Sequence, residues 1–216
     1  IKRCPTQAIR VRNQKAVITN EFCIDCGECI RICPHHAKKA TYDTLSMIEQ
    51  FEYKIALPAP ALYGQVNHLD DVNIILTALK NLGFDDVYEV SGAAELVSEL
   101  TREYMKNNED KYPIISSACP SVVRLIRVRF PNLIEQRLPI QQPMELAETL
   151  AKERAMEKTG LTKEQIGVFF ISPCPAKVTA VKEPLGIEKS DVDGVLAMKE
   201  IYPRLISSMN QVVSED

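Results

Sequence analysis

From Lys54 onward, short unbroken apolar runs alternate with stretches whose apolar residues recur every three or four positions. The runs at 54–57, 87–90, 113–116, 167–172 and 192–196 have the length and composition of buried strands. Val72, Ile75, Leu76, Leu79 and Leu82 share one helical face, which predicts a helix over 69–82 ended by Gly83. A second helix is expected from Ser91 to about Asn107. Pro143 suits a first helical turn, and Gly160 closes that helix after Thr159. Thr162 and Gln165 match a capping box just ahead of the run at 167–172. Strands alternating with helices predict an α/β domain with a mainly parallel sheet.

The first fifty residues lack this rhythm. Up to Ala40, eight Lys or Arg face three Asp or Glu, a net of +5, so the rest of a chain totalling −3 carries −8. That shift places a boundary within 43–52, between a small module at 1–50 and a larger domain at 51–216. With 45% hydrophobic and 25% charged residues, the composition is that of a globular chain. The small net charge gives no general footprint for nucleic acid or an acidic membrane. No apolar run approaches the roughly 18 residues that span a bilayer.

The seven cysteines change the picture most. They are odd in number, four fall within eleven residues, and the start Ile1-Lys2-Arg3-Cys4-Pro5 lacks the apolar core of a secretory signal. Metal ligation in a reducing cytoplasm fits this better than a disulfide scaffold. Cys23, Cys26, Cys29 and Cys33-Pro34 form a C-x2-C-x2-C-x3-C-P run. In two-cluster ferredoxins the first three thiolates of such a run hold one 4Fe-4S cube and the fourth serves the other cube. Gly27 lets the loop turn and aim amides at anionic sulfur. A zinc knuckle is the alternative, but zinc sites favour paired C-x2-C units with a longer spacer. Cys4-Pro5 resembles the tail of a preceding run, so Cys4 is expected to complete the cube of Cys23, Cys26 and Cys29. Cys33 would serve a second cube whose other ligands lie before residue 1. An α+β ferredoxin-like module follows from this reading. His35 and His36 read as exposed turn residues, and Arg3, Arg10, Arg12, Lys15, Arg31, Lys38 and Lys39 as a solvated face.

Cys119 and Cys174 each follow an apolar run and precede Pro and an expected helix. In an open parallel sheet such carboxyl-end loops converge on a ligand crevice. Spacing alone favours two buried structural thiols. The surrounding residues favour something more specific. Ile115-Ser116-Ser117-Ala118-Cys119-Pro120 resembles the first active-site signature of the [FeFe]-hydrogenases, and Ser172-Pro173-Cys174-Pro175-Ala176-Lys177 resembles the second. The resemblance continues through Ala59-Pro60-Ala61, Leu82-Gly83-Phe84-Asp85, Gln141-Gln142-Pro143 and Asp191-Val192-Asp193-Gly194-Val195. It implies a partial iron-hydrogenase large-subunit fold behind a ferredoxin-like module. It also implies 4Fe-4S clusters and, in the full-length protein, an H-cluster of a cubane and a diiron unit. Cys119 and Cys174 would supply two of the four cubane thiolates, and Lys177 would contact a diiron cyanide. The third signature is expected beyond Asp216.

Three departures bear on mechanism. Ala118 stands where the family's proton-relay cysteine does, Ala180 where its relay glutamate does, and Ser172 replaces a methionine. A methyl group neither donates nor accepts a proton. Loss of general acid–base help slows turnover by about 10²–10⁴-fold. The pattern resembles the sensory [FeFe]-hydrogenases, in which hydrogen is a signal. That implies hydrogen and protons as small-molecule partners, a redox partner, PAS or histidine-kinase domains further along, and diiron maturation proteins. A slow working hydrogenase and a non-hydrogenase cluster protein, similar to the nuclear prelamin-recognition-factor-like proteins, are the alternative expectations.

Overall fold

The computed structural model describes residues 2–66 and 71–215. It opens with an antiparallel hairpin of β1 (Ile9–Arg12) and β2 (Lys15–Ile18), in register Arg12↔Lys15. Asn13 and Gln14 at its tip both take positive φ, the backbone of the tight turns that match strand twist. The one-turn helix α1 (Glu28–Arg31) follows.

The larger part is built on four parallel strands in the order β4-β3-β5-β6. These are β3 (Tyr53–Pro58), β4 (Asp86–Val87), β5 (Ile166–Ser172) and β6 (Gly194–Ala197). All seven residues of β5 are buried, as expected of a central parallel strand covered on both faces. Its cover comes from helices α5 (Pro143–Thr159) and α7 (Met198–Glu215). Helix α3 (Val90–Asn107) packs on α5, and α2 (Val72–Asn81) packs on α7. The core is Leu57, Ile75, Leu79, Met144, Phe169, Ile171, Leu196 and Leu205 with their neighbours. Helices α4 (Pro120–Arg129) and α6 (Pro175–Lys182) complete the set.

The parallel α/β sheet holds, as does the start of α5 at Pro143, and α3 begins at Val90, one residue before the expected Ser91. Gly160 closes α5 at φ 73, and the Thr162–Gln165 capping box is formed in both directions. Leu69, in the expected first turn of α2, lies outside the described residues; within them the helix begins at Val72, capped by Asp71.

Two expectations need correction. The run at 113–116 is no strand of the sheet; Ile115 makes one parallel bridge to Arg137. Pro113 offers no N–H, and Ser116 and Ser117 turn their hydroxyls to Ala118 N and Ile140 O, so too little ladder remains. The run at 87–90 is divided: strand ends at Val87, and the buried Val90 begins α3. Among the described residues no helix is long and apolar enough to cross a membrane.

Candidate metal centre

The loop from Cys23 to Cys29 reverses at two left-handed residues, Asp25 (φ 52) and Gly27 (φ 74). Gly27 accepts from Ile30 N and Arg31 N, which starts α1 and carries Cys29 inward. Cys4, Cys23, Cys26 and Cys29 all line one cavity of about 400 Å³, with Ile9, Ile24 and Pro175 among its other walls. The thiols surround a space instead of converging on a point; among the described residues no three His, Cys, Asp or Glu are placed to hold a single metal ion. Burial, opposed by the Asp25 backbone and reinforced by its carboxylate, pushes the Cys23 thiol up to about 11. Burial and the neighbouring Cys26 and Cys4 also push Cys29 up. Burial acts the same way on Cys4, but the Thr6 hydroxyl and the amides of Ile9, Thr6 and Ala8 outweigh it and hold the thiol below its usual range.

Cys33 stands outside that cavity. Backbone amides of Ala37, His35 and His36 turn toward its sulfur and lower its pKa, with Ala37 N at 3.4 Å. His35 and His36 are exposed beside it. A donor set of four thiols around one space, with amides aimed at sulfur, suits a 4Fe-4S cube. Six of the seven basic side chains expected on a solvated face are exposed, whereas Lys38 is half-buried and donates to Ala16 O at 3.0 Å.

The second pair of cysteines sits in two equivalent places. Cys119 is the N-cap of α4 and Cys174 the N-cap of α6, each followed by Pro at the first helical position. Cys119 is exposed and Cys174 half-buried, so the reading as two buried structural thiols fails. Lys177, one turn into α6, donates to Ala118 O at 3.0 Å and to Gln142 Oε1 at 2.8 Å. Burial pushes its pKa down, against the opposing charges of Cys174, Cys119 and Glu145. The chain thus brings Cys119, Cys174, Lys177 and Ala118 together from two helix starts. Ser172 is buried and its Oγ accepts from Cys174 N at 3.2 Å, so the hydroxyl serves the cap. Ala180 is buried and lines a second cavity of about 210 Å³.

Two neighbours of the site have no role in the sequence reading, which names Gln142 only within the 141–143 resemblance and Glu145 not at all. Gln142 is the acceptor for Lys177, and Glu145, 7% exposed, lines the second cavity. The available signal is on α5, where Glu145, Glu148 and Lys152 interrupt a run of buried small residues at Ala147, Ala151 and Ala155.

A parallel sheet presenting cysteines at helix starts, fronted by a cysteine-rich cluster loop, defines an iron–sulfur protein. Residues 52–214 match the profile of the iron-only hydrogenase large subunit, C-terminal domain, and residues 1–34 that of a 4Fe-4S dicluster domain. The chain belongs to the [FeFe]-hydrogenase family, whose cofactors are 4Fe-4S clusters and the H-cluster. It is 24% identical over 217 residues to the NADP-reducing hydrogenase subunit HndD of Solidesulfovibrio fructosivorans, covering 89% of this chain and 37% of that one. Iron hydrogenase 1 of Clostridium pasteurianum is 26% identical over 163 residues, 69% of this chain and 28% of its own. The cytosolic Fe-S cluster assembly factor NAR1 of Botryotinia fuckeliana is 28% identical over 124 residues, 52% and 21% respectively. A solved variant of [FeFe]-hydrogenase HydA1 from Chlamydomonas reinhardtii shares the fold at a TM-score of 0.62 and 19% identity, over 76% of this chain and 46% of that one. The chain therefore spans less than half the length of each of these relatives.

Proposed function

We propose that this chain is the cluster-bearing part of a hydrogen sensor that turns over slowly, organised as a cluster module at 1–50 and a hydrogenase-type domain at 51–216. One observation supports the reading above others. Cys119, Cys174 and Lys177 are assembled, while Ala118 and Ala180 leave no proton-carrying side chain at their two positions. In this reading Cys4, Cys23, Cys26 and Cys29 hold one 4Fe-4S cluster, Cys33 serves a second, and Cys119 and Cys174 ligate the cubane of the H-cluster. When bound, the H-cluster supplies the interconversion of H2 with two protons and two electrons. Lys177 holds its ammonium toward that site from Gln142 and the Ala118 carbonyl, as a donor to an anionic ligand. Ser172 fixes the Cys174 amide and with it the start of α6. The exposed Ala118 methyl can pass no proton, so proton exchange is slow and the state of the site persists long enough to be read. The whole protein would work in the cytoplasm with a redox partner, PAS or kinase signalling domains and diiron maturation proteins.

The test is an infrared spectrum of the complete, matured protein under hydrogen and then under inert gas. Iron-bound carbonyl and cyanide bands that shift with hydrogen, together with slow turnover, are the expected result. Ala118→Cys should then raise turnover by about tenfold or more. Rapid turnover in the parent protein would replace the sensor by a working hydrogenase. Intact cubanes without those bands would favour the assembly role named for NAR1, a reading supported by the similarity to that factor.

A further inference from the structure

The cavity beside Ala180 is walled by Ser117, Arg124, Arg137, Gln142 and Glu145, among others. Among the described residues Glu145 is its one carboxyl group. It is the third residue of α5, one turn after Gln142, which holds the Lys177 ammonium. Lys177 in turn donates to the carbonyl of Ala118. Gln142 thus belongs both to the hydrogen-bonded group at the cap site and to the wall of the cavity that Glu145 lines.

The surroundings of Glu145 are unlike those of its neighbours. One turn further along α5, Glu148 and Lys152 form a buried ion pair at 3.4 Å, and Lys152 also reaches Asp193 at 2.9 Å. Among the described residues Glu145 has no such partner. Ser190 Oγ lies 2.9 and 3.0 Å from its two oxygens and also accepts from Val192 N at 3.3 Å. Both oxygens lie against that one hydroxyl, whose single hydrogen they share, while the residue also forms part of the cavity wall. A buried carboxylate with a single neutral donor is a costly arrangement for a purely structural role.

We propose that Glu145 is the proton-exchange residue of this chain, its carboxyl group passing protons between the cap site and water in the cavity in place of the side chains missing at Ala118 and Ala180. The inference rests on the hydrogen-responsive reading above. Each H2 consumed would yield two protons and two electrons, the electrons being accepted by the 4Fe-4S clusters that the cysteines would hold. The Glu145 carboxylate binds one proton at a time, becomes the neutral acid, and returns to carboxylate on releasing that proton to cavity water. Formation of H2 runs the same transfers in reverse.

The charged groups around it are Lys177 from α6, Asp191 from the segment before β6, Arg124 from α4 and Arg137 across the cavity, with Glu148 and Lys152 on its own helix. Burial raises the carboxyl pKa, the Ser190 hydroxyl and Lys177 draw it back, and Asp191 adds to the rise, leaving it above the usual carboxylate range. A carboxyl group raised toward working pH suits proton exchange.

The experiment compares the complete, matured protein with Glu145→Gln, whose amide oxygen can keep the Ser190 bond, and with Glu145→Asp. Isotope exchange between H2 and D2O is followed against pH, alongside the infrared bands of iron-bound carbonyl and of protonated carboxyl groups. Glu145→Gln should lower exchange about tenfold or more, remove its pH inflection and delete one titrating carboxylic-acid band. Its carbonyl bands should still shift with hydrogen, and Glu145→Asp should restore part of the rate. Unchanged exchange and pH profile in a variant whose bands respond to hydrogen overturn the proposal alone. Loss of the carbonyl bands in Glu145→Gln overturns it in favour of a structural role. Bands that never respond in the parent protein overturn the hydrogen reading and this proposal together.

Discussion

The two cysteine sites are built on different foundations. The module places four thiols around one cavity but has almost nothing behind them: between residues 2 and 40 the buried residues are Thr6, Ala8, Ile9 and Ile24. The cap site offers two thiols, yet it stands on a sheet whose central strand is buried throughout and on helices packed over it. The module's fold is therefore expected to depend on a bound cluster, because small domains without an adequate core need metal or cross-links. The sheet domain supplies its own stability and presents a prepared half-site.

The sharpest test of that contrast is amide exchange on the iron-free chain. Hairpin β1–β2 should exchange on the order of 10³-fold faster than β5, and reconstitution with iron and sulfide should close most of the gap. Equal protection without iron would break the comparison. A smaller effect is expected where the sheet domain keeps its own buried charges. Lys152→Met strands Glu148 and Asp193 and should lower stability to urea by about 3–5 kcal/mol, with iron uptake by the module intact. An unchanged midpoint would mean this polar seam does not hold the segment before β6. The smallest effect belongs to the join between the two regions. An added Cβ at Gly27 would sit 3.0 Å from Pro175 Cγ on a backbone with φ +74. Gly27→Ala should cost about 1–2 kcal/mol and weaken iron retention without altering the melting of the sheet. Wild-type iron retention would show that the loop can relax away from α6.

What the sequence disclosed follows the same divide. The cluster loop was legible because its cysteines are local: Cys23, Cys26 and Cys29 lie within one short turn-rich stretch and Gly27 supplies the left-handed turn. Strands β3 and β5 were legible because a doubly covered strand is an unbroken apolar run. The run at 113–116 misled because apolar content does not reveal whether a ladder partner exists. Helix α7 was not anticipated; Pro203 and a polar tract around Ser207 and Ser208 hide the buried row of Ile201, Leu205 and Met209. Glu145 stayed invisible for a different reason. Its meaning lies in a cavity formed by three separate stretches of chain, 117–124, 137–145 and 180–187, which no local pattern encodes.

Asp43 carries a consequence of its own. Its backbone N–H bonds to Val195 O, one carboxyl oxygen accepts from Val195 N at 2.9 Å, and the other meets Lys182 at 2.8 Å. The strip of chain leaving the module is thus stitched along the edge of β6 and riveted to α6. A pull on the module would have to peel that strip off the sheet before anything could swing, so the joint behaves as a weld and not as a hinge.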